Sequence, residues 1–454
     1  MSSVRPAAVA GTFYPREAKE LTREVADLID GVENLAPRFG HPKALIVPHA
    51  GYIYSGPIAA RAYDELGAAR GIVRRVVLLG PVHRVPVRGL ALPGAEAFDT
   101  PLGRVPVDAE GVRMLAPFKQ VVESRAAHAM EHSLEVQLPF LQSMLGEFSI
   151  LPLAVGDARL QEVREVIERV WGGPETLIVV STDLSHYHRY DEAREIDRST
   201  LARIASFAGD INHEEACGAS VLNGFLAAAR ARDLSMRLLG ACNSGDTAGG
   251  KDRVVGYSAF ALYEGSRVSL EEAGETLLGI ARGAIANALG VSGERPRTDA
   301  APWLARPGAT FVSLHREGKL CGCIGSLSAQ RGLGEDVAHN AVAAAQRDPR
   351  FPPLTAEAWP GCELEVSVLS RAKPLRFADE AEMLAQLRPG EDGVILEYEG
   401  KRATFLPQVW ESIPDKRAFL ATLLEKAGLP ADTRLARCKL WRYRVIKWTQ
   451  PPLQ

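Results

Sequence analysis

Ala44-Leu45-Ile46-Val47-Pro48-His49-Ala50-Gly51-Tyr52 reads as a strand of the buried type that stops abruptly at a histidine. Four apolar residues run into Pro48, and Gly51 stands two residues past His49, the pattern of a strand entering a sharp loop at a sheet edge. The same layout recurs at Val76-Val77-Leu78-Leu79-Gly80-Pro81-Val82-His83, at Leu177-Ile178-Val179-Val180-Ser181-Thr182-Asp183-Leu184-Ser185-His186 and at Arg237-Leu238-Leu239-Gly240-Ala241-Cys242. Each run ends in a potential metal ligand. In an open sheet with helical crossovers the carboxyl ends of strands converge on one crevice, so the four ends are expected to form one metal site.

Around these runs the chain alternates strand and helix. Residues 15 to 30 have helical spacing, Ile58 to Leu66 reads as a helix between the His49 and His83 strands, and Ser149 to Val155 and Thr176 to Val180 flank a helix over 160 to 171. Ala129 to Leu145 is expected to be one helix interrupted by Pro139, with Glu131, His132 and Glu135 at its start. Helices at Glu192 to Phe207 and Glu214 to Ala231 and a strand at Val254 to Tyr263 complete a mostly parallel α/β sheet with helices on both faces.

Near Gly265 the pattern restarts. Leu270 to Leu289 is a long helix, and residues 291 to 307 a loop rich in Gly, Pro and Arg. Arg316-Glu317-Gly318 and Glu399-Gly400 mark two hairpins. Helices at 333 to 346, 379 to 387 and 416 to 427 and a final strand over Lys439 to Trp448 make this an α+β domain. The expected division is residues 1 to 265 and 268 to 454.

With 454 residues, 46% apolar and 24% charged, the chain has ordinary globular composition and length for more than one core. The net charge of −3, with no clustered basic face, gives no nucleic-acid footprint. No apolar stretch approaches a membrane span, and the first fifteen residues lack a signal-peptide core. Six cysteines without the even spacing of a disulfide framework fit a reducing, cytoplasmic setting.

Neutral imidazoles at His49 and His83 and a thiolate at Cys242 would make a three-ligand set with positions open for substrate or dioxygen. For any one of them alone, a backbone-bonded loop histidine or a buried cysteine is the competing reading. Asp183 could orient one imidazole through its second N–H while His186 moves protons, although Thr182 or Asp183 would also serve as a helix N-cap. His132, with Glu131 and Glu135, could supply a further acid or base; a carboxylate-rich helix start explains it as well. Cys321 and Cys323 share a strand face without a second pair nearby, which favours strand filler over a metal site.

The motifs carry a resemblance. Residues 1 to about 265 resemble the Memo family through Arg5-Pro6-Ala7 with Gly11-Thr12-Phe13-Tyr14-Pro15, Pro48-His49-Ala50-Gly51-Tyr52, Gly80-Pro81-Val82-His83, Glu131-His132-Ser133-Leu134-Glu135 and Ser181-Thr182-Asp183-Leu184-Ser185-His186. That family is similar in fold to class III extradiol dioxygenases, which use non-haem Fe(II). The resemblance implies metal at His49, His83 and Cys242, with His132, Asp183 and His186 around the open face. A thiolate in place of the dioxygenases' carboxylate would also suit copper or zinc. Residues from about 268 resemble the AMMECR domain through Gly322-Cys323-Ile324-Gly325-Ser326-Leu327, Asp348-Pro349-Arg350-Phe351 and Leu440-Trp441-Arg442-Tyr443, with Cys321 where that family usually has arginine. The fusion resembles the AmmeMemoRadiSam set and implies a radical SAM partner. The expected function is a non-haem iron oxygenase-type enzyme for a small-molecule or peptide substrate; the alternative is a peptide- or protein-binding module on the same fold.

Overall fold

The computed structural model describes residues 3–32, 41–264, 268–291, 296–430 and 433–452. They form two units, the first running to the middle of the chain and the second from Val268 onward. The boundary expected near Gly265 lies outside the described residues, as do 292–295 of the expected loop.

The first unit is built on a nine-stranded sheet. Its strands are β1 (Ala44–Val47), β2 (Arg75–Pro81), β3 (Leu90–Leu92), β4 (Val121–Glu123), β5 (Ser149–Val155), β6 (Thr176–Ser181), β7 (His186–His188), β8 (Ser235–Asn243) and β9 (Val254–Tyr263). The order is β7-β9-β1-β6-β2-β5-β3-β4, with β8 also paired to β9. The centre, β1-β6-β2-β5, is parallel, and β9 joins β1 antiparallel. Leu45 and Val47, Val76 and Leu78, and Leu177 and Val179 enter one core; Ala44 and Ile46, Val77 and Leu79, and Ile178 and Val180 enter the other. Burial on both faces is why these strands read as unbroken apolar runs. Helices α1 (Ala18–Asp30), α2 (Tyr52–Asp64) and α3 (Leu138–Leu145) contribute to the first core, and α4 (Leu160–Arg169) and α6 (Ala219–Ala231) to the second; α5 (Tyr190–Ala205) packs on β8 and β9.

One expected element is different. Ala129 to Leu145 is not one helix: a short helix ends at Ala129, a turn carries Glu131 and His132, and a 3₁₀ turn over Glu135–Gln137 leads into α3. Pro139 sits in the first turn of α3, where its missing N–H costs nothing, so it starts the helix instead of interrupting it.

The second unit has two antiparallel four-stranded sheets. Both expected hairpins are present, Thr310–Arg316 with Lys319–Gly325 and Gly393–Tyr398 with Lys401–Phe405. The final segment, expected as one strand, is two: Lys439–Tyr443 pairs in one sheet and Val445–Gln450 in the other. The chain breaks at Arg444, whose N–H donates to Ser370 Oγ at 2.9 Å while its carbonyl accepts from the Ser370 N–H. Helices Leu270–Ala288 and Leu333–Gln346 cover the first sheet. Lys416–Lys426 covers the second, with Phe419 stacked on Trp410 at a centroid distance of 3.6 Å. Among the described residues no helix is long and apolar enough to cross a membrane.

Candidate metal centre

Three neighbouring parallel strands deliver the site. His49 lies two residues beyond β1, Asp183 two beyond β6 and His83 two beyond β2, and β1-β6-β2 are consecutive in the sheet. The side chains therefore meet over the carboxyl edge, as a switch-point crevice requires. The His49 and His83 ring centroids are 5.2 Å apart. His132 comes from the turn before α3 and brings its ring to 5.4 Å from His49 and 4.6 Å from His83. One ring nitrogen from each of the three lies within 4.8 Å of the others. That turn approaches β2 closely because position 80 is glycine: a Cβ there would sit 2.9 Å from Ser133 Oγ and Leu134 Cδ2.

The partners of these rings fix their tautomers. Glu131 accepts from His83 Nδ1 at 2.9 Å and from three backbone N–H groups, of His83 at 2.6 Å and of His132 and Ser133 at 2.9 Å each. Burial pushes this carboxyl up, but the hydrogen bond and charge of His83 and the backbone donors overcome it and hold the pKa at about 2. An ionised carboxylate only accepts, so His83 Nδ1 is the donor in their bond. Ser181 Oγ donates to Ser133 O at 2.7 Å and accepts from Gln137 Nε2 at 3.0 Å, so His49 Nδ1, 2.8 Å away, is the donor in their bond. His186 Nδ1 donates to Leu184 O at 2.8 Å. In the neutral ring of His49, His83 or His186 the lone pair then falls on Nε2, the form that binds a metal, with the opposite nitrogen tied down. Burial and the neighbouring imidazoles lower the His49 pKa well below the usual value, and burial brings His132 to about 4.

Asp183 Oδ1 accepts the His49 backbone N–H at 2.7 Å, and its Oδ2 lies 3.9 Å from His49 Nε2. Burial raises its pKa to about 7. Asp183 therefore supports the loop of His49 and faces the nitrogen that looks into the site.

Cys242 is not brought to this cluster. It sits near the end of β8, with β9 between β8 and β1, two strand spacings or about 10 Å from the His49 strand. Cys242 packs against the first core and borders a separate cavity of about 340 Å³ with Tyr190, Arg194 and Asp197. The thiol beside the imidazoles belongs to Cys217, in the turn before α6, with Sγ 3.3 Å from His49 Nε2. Burial raises the Cys217 pKa to about 12 in the absence of a cation. A search for cysteines at the ends of apolar strands passes over Cys217, which follows no strand; the Cys-Gly pair ahead of a helical pattern was its only trace in the sequence.

Glu135, grouped with His132 in the sequence, has a different task. It is fully buried, accepts from Arg5, the Ala8 and Val9 N–H groups and Tyr14 Oη, and so anchors the segment that carries Phe13.

The cluster opens into a cavity of about 1090 Å³ whose wall includes Phe13, Tyr54, Tyr187, Arg253 and Tyr257, with Asp183 and His186 also facing it. Its size suits a drug-sized or peptide-linked molecule.

In comparison with known proteins, a family model described as Memo-like protein matches residues 5–261, and one described as AMMECR1 matches residues 278–448. A MEMO1 family protein of Ignicoccus hospitalis is 37% identical over 281 residues, covering 56% of this chain and 97% of its own. One of Aquifex aeolicus is 35% identical over 266 residues, covering 56% and 97%. Among solved structures, an uncharacterized protein, PH0010, from Pyrococcus horikoshii is 32% identical, with a TM-score of 0.37, and covers 39% of this chain and 92% of its own.

Proposed function

The chain belongs to the Memo-like protein family through its first unit, and on that premise we propose that this unit is a metal-dependent enzyme of the non-haem iron oxygenase type. The observation that carries the reading is the convergence of His49, His83 and His132, with donor nitrogens within 4.8 Å. His49 and His83 are the ligands whose outer nitrogens are already committed to Ser181 and Glu131, His132 is the third donor of the group, and the sulfur of Cys217 approaches it from the His49 side. This imidazole set fits Fe(II) and also suits copper or zinc, the more so if the nearby Cys217 sulfur is drawn in as a thiolate. A bound iron would supply Lewis acidity and one-electron chemistry toward dioxygen.

The chain's own groups do the rest. The aromatic wall holds the substrate, which is a small or peptide-linked molecule. His186, its Nδ1–H fixed on Leu184 O, offers Nε2 to take a substrate proton, and Asp183, with its pKa near neutrality, stands ready to hold or return one. The second unit, matched by the AMMECR1 model, serves to recruit a radical SAM partner. Metal analysis of His49→Ala and His83→Ala tests the centre: both should lose the metal, and unchanged metal content ends the enzyme reading. Oxygen uptake by the loaded protein tests the reaction type. Recovery of the radical SAM protein with and without residues 268–454 tests recruitment, and equal recovery refutes it.

A second reading, a peptide-binding module, is favoured by the exposed aromatic rim. Tyr187 is 64% and Tyr54 37% exposed. Peptide binding that survives both histidine substitutions would support it.

A further inference from the structure

We propose that Arg253 is a specificity-determining residue of the first unit's cavity and selects substrates that carry a carboxylate or phosphate group away from the imidazole cluster. This rests on the reading of that cavity as the substrate site. Arg253 is the one arginine or lysine among the described residues that line it. Its guanidinium lies 5.0 Å from the centroid of the Tyr187 ring, and no carboxylate among the described residues pairs with it. The neighbouring cation, Lys251, is engaged elsewhere, 4.4 Å over the ring of Tyr190.

The platform under Arg253 is specially built. Tyr187 has φ of +62°, a left-handed conformation that an aromatic residue adopts only when its surroundings impose it. On either side His186 and His188 are paired with β9 at Val255 and Val254, next to Arg253 itself. The short strand therefore fixes the ring beneath the guanidinium, so an arginine that would otherwise sample many rotamers is held over a flat surface with its N–H edge free. On the same wall Gly249 and Gly250 add no side chains, and a Cβ at Gly250 would meet no atom within 4 Å, which leaves room for a ligand beside Arg253. The acidic group on the rim is Glu214, exposed and on the loop before α6. Asp183 is buried deeper, at the imidazoles. An arginine on an aromatic platform recognises an oxyanion through paired N–H donors. A substrate spanning this cavity would therefore present its reacting end to the imidazoles and its anionic end to Arg253.

The test uses the full-length chain, as purified and after metal removal by chelation, with benzoate, phenyl phosphate and benzyl alcohol as probes in titration calorimetry. In the chelated protein at least one anion should bind about tenfold or more tightly than the alcohol, Arg253→Met should erase that preference, and Arg253→Lys should restore part of it. The anion with the larger loss identifies carboxylate or phosphate as the preferred group. No preference in the parent chain, or a preference kept by Arg253→Met, overturns the proposal. Because these readings are made without metal, they stand apart from the metal content of the histidine variants, which tests the enzyme reading.

Discussion

Cys217 Sγ and His49 Nε2 lie 3.3 Å apart although 168 positions separate them in the chain. The sulfur available to a cation at His49 is thus Cys217's. In cobalt-substituted protein we expect a sulfur-to-cobalt charge-transfer band that disappears in Cys217→Ala and persists in Cys242→Ala. The reverse result would move the thiol ligand back to β8.

Glu131 gathers the His83 ring and three backbone N–H groups on one carboxylate. Glu131→Gln replaces an acceptor-only group by one that also donates, so His83 loses its fixed tautomer. Metal affinity should fall by about 10- to 100-fold, read by competition with a chelating dye, while the fold persists.

Stability should fall on acidification from pH 6.5 to 4. His132 has a folded pKa of about 4 against 6.5, so the unfolded chain takes up its proton first, and His49 is shifted the same way. Asp183 opposes this. Its folded pKa is about 7 against 3.8, so the folded chain holds a proton that the unfolded chain releases, and stability is gained as pH drops through that window. Asp183→Asn removes the opposing contribution and still accepts the His49 N–H. Urea unfolding of metal-free protein should show a steeper acid loss in this variant than in the parent; an unchanged slope would refute the assignment.

Arg5→Ala leaves the fully buried Glu135 without its cation. Breaking one side of a buried pair should cost about 3–5 kcal/mol in urea unfolding. The segment from Arg5 to Tyr14 should become more susceptible to protease, since Glu135 is what holds it.

The hairpin turns of the second unit place glutamate at positive φ, Glu317 at +51° and Glu399 at +48°, each followed by a glycine in the same region. Asparagine tolerates this conformation better and is the preferred first residue of such turns. Glu317→Asn and Glu399→Asn should each stabilise the unit by about 0.5 kcal/mol in thermal or urea unfolding.

The local grammar of the chain carried much of the fold. The apolar runs ending at His49, His83 and Asp183 are strands, and the turn chemistry at Glu317-Gly318 and Glu399-Gly400 makes hairpins, because burial on two faces and positive φ leave marks within a few residues. The segment around His132 reads as helix because leucine spacing continues through a turn that hydrogen bonds of Glu131, Arg5 and Ser133 define.

What the sequence by itself determined, then, was the alternation of strand and helix and the placing of His49 and His83 at strand ends, since both follow from short-range patterns. Tertiary structure alone decided which third imidazole converges with them and which sulfur lies beside His49. Cys242 lies two strand spacings to the side, while Cys217 and His132 arrive from turns that the sheet edge brings together. Strand order and hydrogen bonds between distant loops set those distances, and neither leaves a periodic signal along the chain.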